Sequence, residues 1–161
     1  MSPNVRAVLD TIGWSEGTAT HPLTKNRGYD VIVTGMDGKP EIFTDYSDHP
    51  FANGRPGKVF NKRGERSTAS GRYQQIMTYW PAYRQMLNLP DFSPASQDKL
   101  AVRLIMECKA LDDVEAGRFE SAVMKCSHRW ASFPPGQYGQ PVRDMADLKA
   151  KYIEAGGSLE S

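Results

Sequence analysis

The chain has 161 residues, of which 39% are hydrophobic and 24% charged, with a formal net charge of +1. That length suffices for one domain with a real core, and the composition fits a soluble globular protein rather than a disordered one. A charge so near zero does not imply nucleic acid, and no apolar run is long enough to span a membrane. The N-terminus lacks a basic region followed by an apolar core, so no signal peptide is expected. Synthesis is expected in the cytoplasm, with any export needing outside help.

The first predicted helix opens at Ser2, a good N-cap, with Pro3 at the first helical position, where a missing N–H costs nothing. Val5, Val8, Leu9 and Ile12 recur at the spacing of one buried face. Glu16 continues that face four residues after Ile12, and Gly17 is placed to end the helix in a left-handed turn. A carboxylate at the end of an apolar stripe faces the core or a cleft. Partial burial would raise its pKa, which suits a general acid. The alternative is a solvated residue at a frayed helix end.

Residues 18–28 read as polar loop. Residues 29–34 and 41–46 read as two short strands around the turn 35–40, a hairpin and the only β-structure expected. Two strands alone are marginal in water, so the hairpin must pack on helices. Residues 51–66 read as a long mobile loop, with Arg55, Lys58, Lys62, Arg63 and Arg66 against Glu65. The bland reading of that charge is solubility, and the sharper one is attraction to an anionic polymer. A helix is predicted from Arg72 through Leu87 with a break near Tyr79, before Pro81. Ser93-Pro94 starts another, carried inward by Leu100, Leu104, Cys108 and Leu111. Val114, Ala122, Val123 and Cys126 mark the next, with Trp130 closing its face. Residues 133–141 form a turn-rich loop carrying Tyr138, and Met145, Leu148 and Tyr152 mark the last helix, ended by Gly156-Gly157. The sum is five or six helices around one small hairpin, a single α+β domain over residues 1–161.

The chemistry narrows by elimination. His21, His49 and His128 lie far apart. Asp45, Asp48 and His49 cluster, but their spacing fits no zinc or calcium loop, and a turn held by Asp side chains is the better reading. No metal and no cofactor is expected. Cys108 and Cys126 sit on separate helices with no C-x-x-C, and two buried free thiols are expected. Ser15 lacks the glycine elbow of serine hydrolases, and no phosphate-binding glycine loop is present. Carboxylate chemistry with aromatic neighbours remains. Trp14, Tyr29, Tyr46, Tyr73 and Tyr138 lie near loop ends, and aromatic faces suit sugar rings. Arg72, Tyr73, Gln74 and Gln75 start the helix after the hairpin, where a cleft wall commonly lies. Gln74 or Gln75 is a candidate to bind a sugar amide or to fix Glu16, or else to cap the helix. Asp30, Asp45 and Asp48 are candidates for a second carboxylate.

Several strings together resemble one family. They are Trp14-Ser15-Glu16-Gly17-Thr18, Gly28-Tyr29-Asp30-Val31-Ile32-Val33, Phe43-Thr44-Asp45-Tyr46-Ser47-Asp48-His49-Pro50 and Gly71-Arg72-Tyr73-Gln74. Later segments fit too: Asp91-Phe92-Ser93-Pro94, Ser96-Gln97-Asp98, Trp130-Ala131-Ser132, Tyr138-Gly139-Gln140 and Glu154-Ala155-Gly156-Gly157. Nearly end to end, the chain resembles the lambda-type phage endolysins. The resemblance implies a lysozyme-like α+β fold, mostly helical, with the small hairpin flanking an active-site cleft. It implies a lytic transglycosylase for bacterial lysis, cleaving the MurNAc–GlcNAc β-1,4 bond of peptidoglycan with a 1,6-anhydro product. Glu16 would be the catalytic acid, and residues 51–66 and 133–141 the two lips of the cleft. Ser15, Tyr29, Asp30, Tyr46, Arg72, Tyr73, Gln74, Gln75 and Tyr138 form the candidate substrate-binding set. The implied partner is the peptidoglycan glycan strand, met by a monomer with no nucleic-acid or membrane partner. The protein would be made in the host cytoplasm and reach the periplasm and wall by a separate release route. Two places depart from the family pattern: the hairpin turn at 36–40 looks longer, and the loop 51–66 differs in sequence.

Three alternatives stay open on the residues alone. A true muramidase needs two carboxylates, about 5–5.5 Å apart if retaining and roughly 6.5–9.5 Å if inverting, whereas a transglycosylase needs one. A wall-binding module would use the same cleft without cutting. A nucleic-acid binder would use Arg55–Arg72 and show steeply salt-dependent binding.

Overall fold

The computed structural model describes residues 1–136 and 142–161. Among them are six α-helices, α1 (Pro3–Ser15), α2 (Trp80–Met86), α3 (Pro94–Glu107), α4 (Leu111–Ala116), α5 (Phe119–Cys126) and α6 (Met145–Glu154). Four two-residue strands accompany them, β1 (Val31–Ile32), β2 (Glu41–Ile42), β3 (Lys58–Val59) and β4 (Arg66–Ser67). The chain divides into two compact units, residues 1–16 with 101–161, and residues 17–100.

The first unit is helical. Ser2 caps α1 by accepting from the Val5 N–H, and Pro3 stands in the first turn. Val5, Val8, Leu9 and Ile12 are all buried, the face their spacing predicts. This face packs on α6 and α4, where Leu148, Tyr152 and Val114 are buried and the Phe119 and Tyr152 rings stack at 4.5 Å. Asn4 donates to the Val114 carbonyl at 3.0 Å and accepts from Ser158 N at 2.9 Å, tying the chain ends together. The single helix expected from Val114 to Cys126 is two. Gly117 adopts φ +81 at the C-cap of α4, and the chain restarts as α5 at Phe119.

The second unit carries the β-structure. β1 and β2 pair antiparallel with Val31 opposite Ile42, at the expected hairpin but shorter than the runs 29–34 and 41–46. The stretch 51–66, read as a loop, carries β3 and runs into β4, a second antiparallel hairpin with Lys58 opposite Ser67 and Val59 opposite Arg66. The Met36 N–H donates to the Val59 carbonyl at 2.8 Å and joins the two hairpins. Much of the positive charge is spent internally. Arg55 grips Glu41 with two bonds of 2.7 and 2.6 Å, and Lys58 adds a third contact at 2.9 Å. Arg55 foremost, with Lys58, holds the Glu41 carboxyl down to about 2. Arg63 pairs with Glu65 at 2.8 Å, and Arg66 donates to the Gly57 carbonyl at 2.7 Å.

The helix expected from Arg72 begins only at Trp80. Gly71 has φ +82 and Gln74 φ +54, and Ser70 bridges both Ile32 and Gln75, so residues 70–75 form a tight turn against β1. Pro81 then initiates α2 rather than breaking a longer helix. A side chain at Gly71 would run into the Gln97 carboxamide, which accepts from Arg72 N at 2.9 Å. Trp80, Phe92 and His49 fill the core beside this turn, with Phe92 4.8 Å from His49 and 5.0 Å from Trp80 between ring centres. Ser93 begins α3 with Pro94 in its first turn, as predicted, and its hydroxyl accepts from Ser96 N at 3.4 Å.

Candidate functional site

Glu16 is the C-cap of α1, its N–H bonded to the Ile12 carbonyl at 2.8 Å. Gly17 follows with φ +77, the left-handed stop expected there. A helix C-terminus concentrates unsatisfied carbonyls, an unfavourable place for a carboxylate. Glu16 retains partial solvent access as a residue while its carboxyl is largely enclosed. Burial is the main influence and raises its pKa, against opposing pulls from Ser132 and Arg143. The result is a carboxyl inclined to keep its proton.

Two serines fix its orientation. The Ser132 hydroxyl donates to Glu16 Oε2 at 2.6 Å, and Ser15 and Ser132 hydroxyls stand 2.6 Å apart. Since Ser132 spends its hydrogen on Glu16, Ser15 donates to Ser132. This relay holds the Oε2 side of the carboxyl in place. Arg143 completes the surround. It donates to the Ser15 and Trp14 carbonyls at 3.2 and 3.4 Å, satisfying the end of α1, and lies 4.5 Å above the Trp14 ring. Its N–H also bonds the Ser132 carbonyl at 2.7 Å, so one residue ties the helix end to the segment bearing Ser132. Lys151 covers Trp14 at 5.5 Å.

Of the predicted site residues, Glu16 and Ser15 therefore belong to one hydrogen-bonded cluster. Ser132 and Arg143 join them, and no local motif marks either. Ser132 lies 116 positions from Glu16, and no periodicity links them. The remaining set lies in the second unit. Tyr29 and Tyr73 are 2% and 1% exposed, and both hydroxyls donate to Asp98, at 2.8 and 2.5 Å. The Arg72 guanidinium sits over both rings, at 5.3 and 5.9 Å. Burial foremost drives the Tyr73 phenol well above its ordinary range. These three side chains build the core around Gly71. Asp30 is buried and accepts from the Thr24 hydroxyl and from Lys25 N at 2.9 Å, holding the 24–30 loop. Tyr46 is half-buried and accepts from Asn26 at 3.1 Å. Gln74 turns back to the Gly71 carbonyl at 3.0 Å, and buried Gln75 donates to the Gln97 carbonyl at 3.2 Å. Tyr138 lies outside the described residues.

The Asp45–His49 cluster is the expected turn. Asp45 accepts from Ser47 N at 2.9 Å, and Asp48 accepts from His49 N and from the Trp80 indole, each at 2.8 Å. His49 Nε2 lies 2.8 Å from the Gln75 carbonyl, and burial lowers its pKa. No metal-binding group of His, Cys, Asp and Glu occurs among the described residues.

The chain and its fold are similar to known proteins. The Endolysin family model matches residues 6–159. The endolysin of Escherichia phage P2 is 64% identical over 154 residues, covering 96% of this chain and 93% of its own. The endolysin of Escherichia phage lambda is 45% identical over 155 residues, covering 96% and 92%. A solved structure of bacteriophage lambda lysozyme complexed with a chitohexasaccharide superposes with a TM-score of 0.87 at 42% identity, covering 99% of this chain and 98% of that one. A second lambda lysozyme structure gives 0.84 at 40%. The chain belongs to the lambda-type phage endolysins and has their lysozyme-like α+β fold.

Proposed function

We propose that this endolysin is a peptidoglycan lytic transglycosylase in which Glu16 is the sole catalytic carboxylate, with residues 1–161 acting as one catalytic domain. The observation that carries the reading is the enclosed Glu16 carboxyl, inclined to hold its proton and oriented by the Ser15–Ser132 relay. Glu16 protonates the glycosidic oxygen as the C1–O bond breaks. The C6 hydroxyl of the same muramic acid then attacks C1, and Glu16 takes its proton, closing a 1,6-anhydro ring and restoring the acid. The attacking hydroxyl is already attached to the reacting sugar, so its effective concentration is high and no water need be positioned. An oligosaccharide bound by the homologous lambda lysozyme supports a glycan substrate.

Hydrolysis would need a second carboxylate. Asp30 and Asp48 are engaged in internal bonds to the loop 24–30 and to Trp80, and Asp45 caps its own turn. That engagement favours the one-carboxylate reading. Mass analysis of digested peptidoglycan in heavy-oxygen water tests it. The expected fragments carry the anhydro mass, one water lighter than hydrolysis products, with no label at C1. Labelled reducing ends would make the enzyme a muramidase.

A further inference from the structure

The ends of α3 and α5 are clasped side by side in the first unit. Arg129 reaches Glu107 at 3.1 Å, and the Lys125 ammonium reaches the Lys109 carbonyl at 3.5 Å and Asp113 at 2.6 Å. These clasps pair the residues flanking Cys108 with those flanking Cys126, and both cysteines are free and buried. His128 places Nε2 3.8 Å from Cys108 Sγ and is itself exposed. Nothing in the glycan chemistry uses this cluster.

We propose that Cys108 and Cys126 are a reversible redox site, closing to an intramolecular disulfide by exchange with an external disulfide, with Cys108 as the attacking thiol. Three features select Cys108. The His128 imidazole is placed to take its proton and pass it to water. Cys108 is 8% exposed against 3% for Cys126, so it lies nearer solvent. The neighbouring Cys126 thiol, with Arg129, holds the Cys108 thiol below its usual range, while Cys108 and burial push Cys126 up.

The chemistry balances with a small disulfide such as oxidised glutathione. Cys108 loses its proton to His128, and the thiolate attacks one glutathione sulfur. The reagent's S–S bond breaks, one glutathione leaves and takes up a proton, and Cys108 carries a mixed disulfide. Cys126 loses its proton to water, attacks the Cys108 sulfur and expels the second glutathione, which takes up a proton. Two protein thiols are oxidised while one external disulfide is reduced to two thiols, and excess thiol reverses the exchange. The new bond would pin α5 to α3 just ahead of the segment that carries Ser132.

The test uses the intact native protein, incubated with oxidised glutathione and quenched in acid. Wild type should lose the mass of two hydrogen atoms, retain no glutathione, and offer no thiol to an alkylating reagent after denaturation. Dithiothreitol should restore both thiols. Melting temperature should rise on oxidation by roughly 5–10 °C, the scale of a short-loop disulfide in a domain of this size. Cys126→Ser should stop at the glutathione adduct on Cys108, and His128→Gln should slow closure several-fold at neutral pH. Free thiols in oxidised wild type, a retained adduct or a disulfide-linked dimer would overturn the proposal, whether or not Cys126→Ser folds. An unchanged rate in His128→Gln would remove the imidazole from the site.

Discussion

In the proposed mechanism, replacing Glu16 by Gln separates the residue's part in the reaction from its effect on the fold. The amide keeps the shape and still offers an oxygen to Ser132, but it cannot release or accept the proton. General acid–base catalysis contributes about 10²–10⁴-fold, so wall clearance per folded molecule should fall by at least about a hundred-fold. The stability effect has the opposite sign. Burial raises the folded pKa of Glu16 above its unfolded value. Such a group contributes stability that is fully present below the unfolded pKa and is lost as pH rises through the folded one. At neutral pH the charged form is therefore a burden, about 1.4 kcal/mol for each unit of raised pKa before solvent access reduces it. The helix C-terminus adds to the burden. The neutral variant should melt at the same temperature or a few degrees higher, and the gain should shrink as pH falls toward the ordinary carboxylate range. Turbidity clearance of purified walls and thermal melts across pH read both quantities. A folded variant within ten-fold of wild-type clearance, or one that melts lower at neutral pH, would refute the reasoning.

Two further substitutions probe the surroundings. Ser132→Ala should reduce clearance roughly ten-fold, the scale of one lost hydrogen bond to a reacting group. Because Ser132 pulls the Glu16 pKa down, its removal should also move the alkaline limb of the kcat/KM pH profile upward; an unmoved or lowered limb would detach Ser132 from the acid. Gly71→Ala combines a left-handed backbone with a clash against Gln97 and should cost about 2–4 kcal/mol, read as a lower denaturation midpoint; a neutral result would mean that the 70–75 turn yields easily.

Local code was the part legible in the sequence. Ser2, Pro3, the Val5–Ile12 face and Gly17 each act within one helical turn, so α1 and the position of Glu16 could be read directly. Ser93-Pro94 marked α3 for the same reason. The second hairpin was hidden because its strands are two residues long and carry Lys58 and Arg66, with no alternation to read. The start of α2 is obscured in the sequence because helical spacing from Ile76 onward competes with the signals at Gly71 and Pro81. The left-handed Gln74 gives no residue-type signal at all. Gly117 was a visible break between α4 and α5, overridden by an apolar pattern that continues across it. Ser132 and Arg143 became site residues only through the fold, since neither has a local motif that points to Glu16. The aromatic residues near loop ends were ambiguous by nature. Tyr29 and Tyr73 fill a core, and what marks them is Asp98, far along the chain, accepting from both hydroxyls.

The three aspartates offer the sharpest contrast with Glu16, because their bonds predict damage of another kind. Asp30 is buried and accepts from two donors, so Asn there must turn its amide hydrogens toward one of them. Asp30→Asn should cost about 1–3 kcal/mol of stability. Burial pushes the Asp48 pKa up, yet bonds from Trp80 and His49 N, with the Arg84 and His49 charges, outweigh it and leave it lowered. Its contribution to stability is present above the unfolded carboxylate pKa and is lost as pH falls through the folded one. Asp48→Asn should therefore melt lower at neutral pH, and the difference should close in acid. Asp45 is exposed and bonds within its own turn, so Asp45→Asn should change little. In all three, clearance per folded molecule should stay within a few-fold of wild type. A second catalytic carboxylate would give the reverse pattern, a rate loss approaching that of Glu16→Gln with stability intact. Any one of the three showing that pattern would end the single-carboxylate mechanism and identify the missing partner in the same experiment.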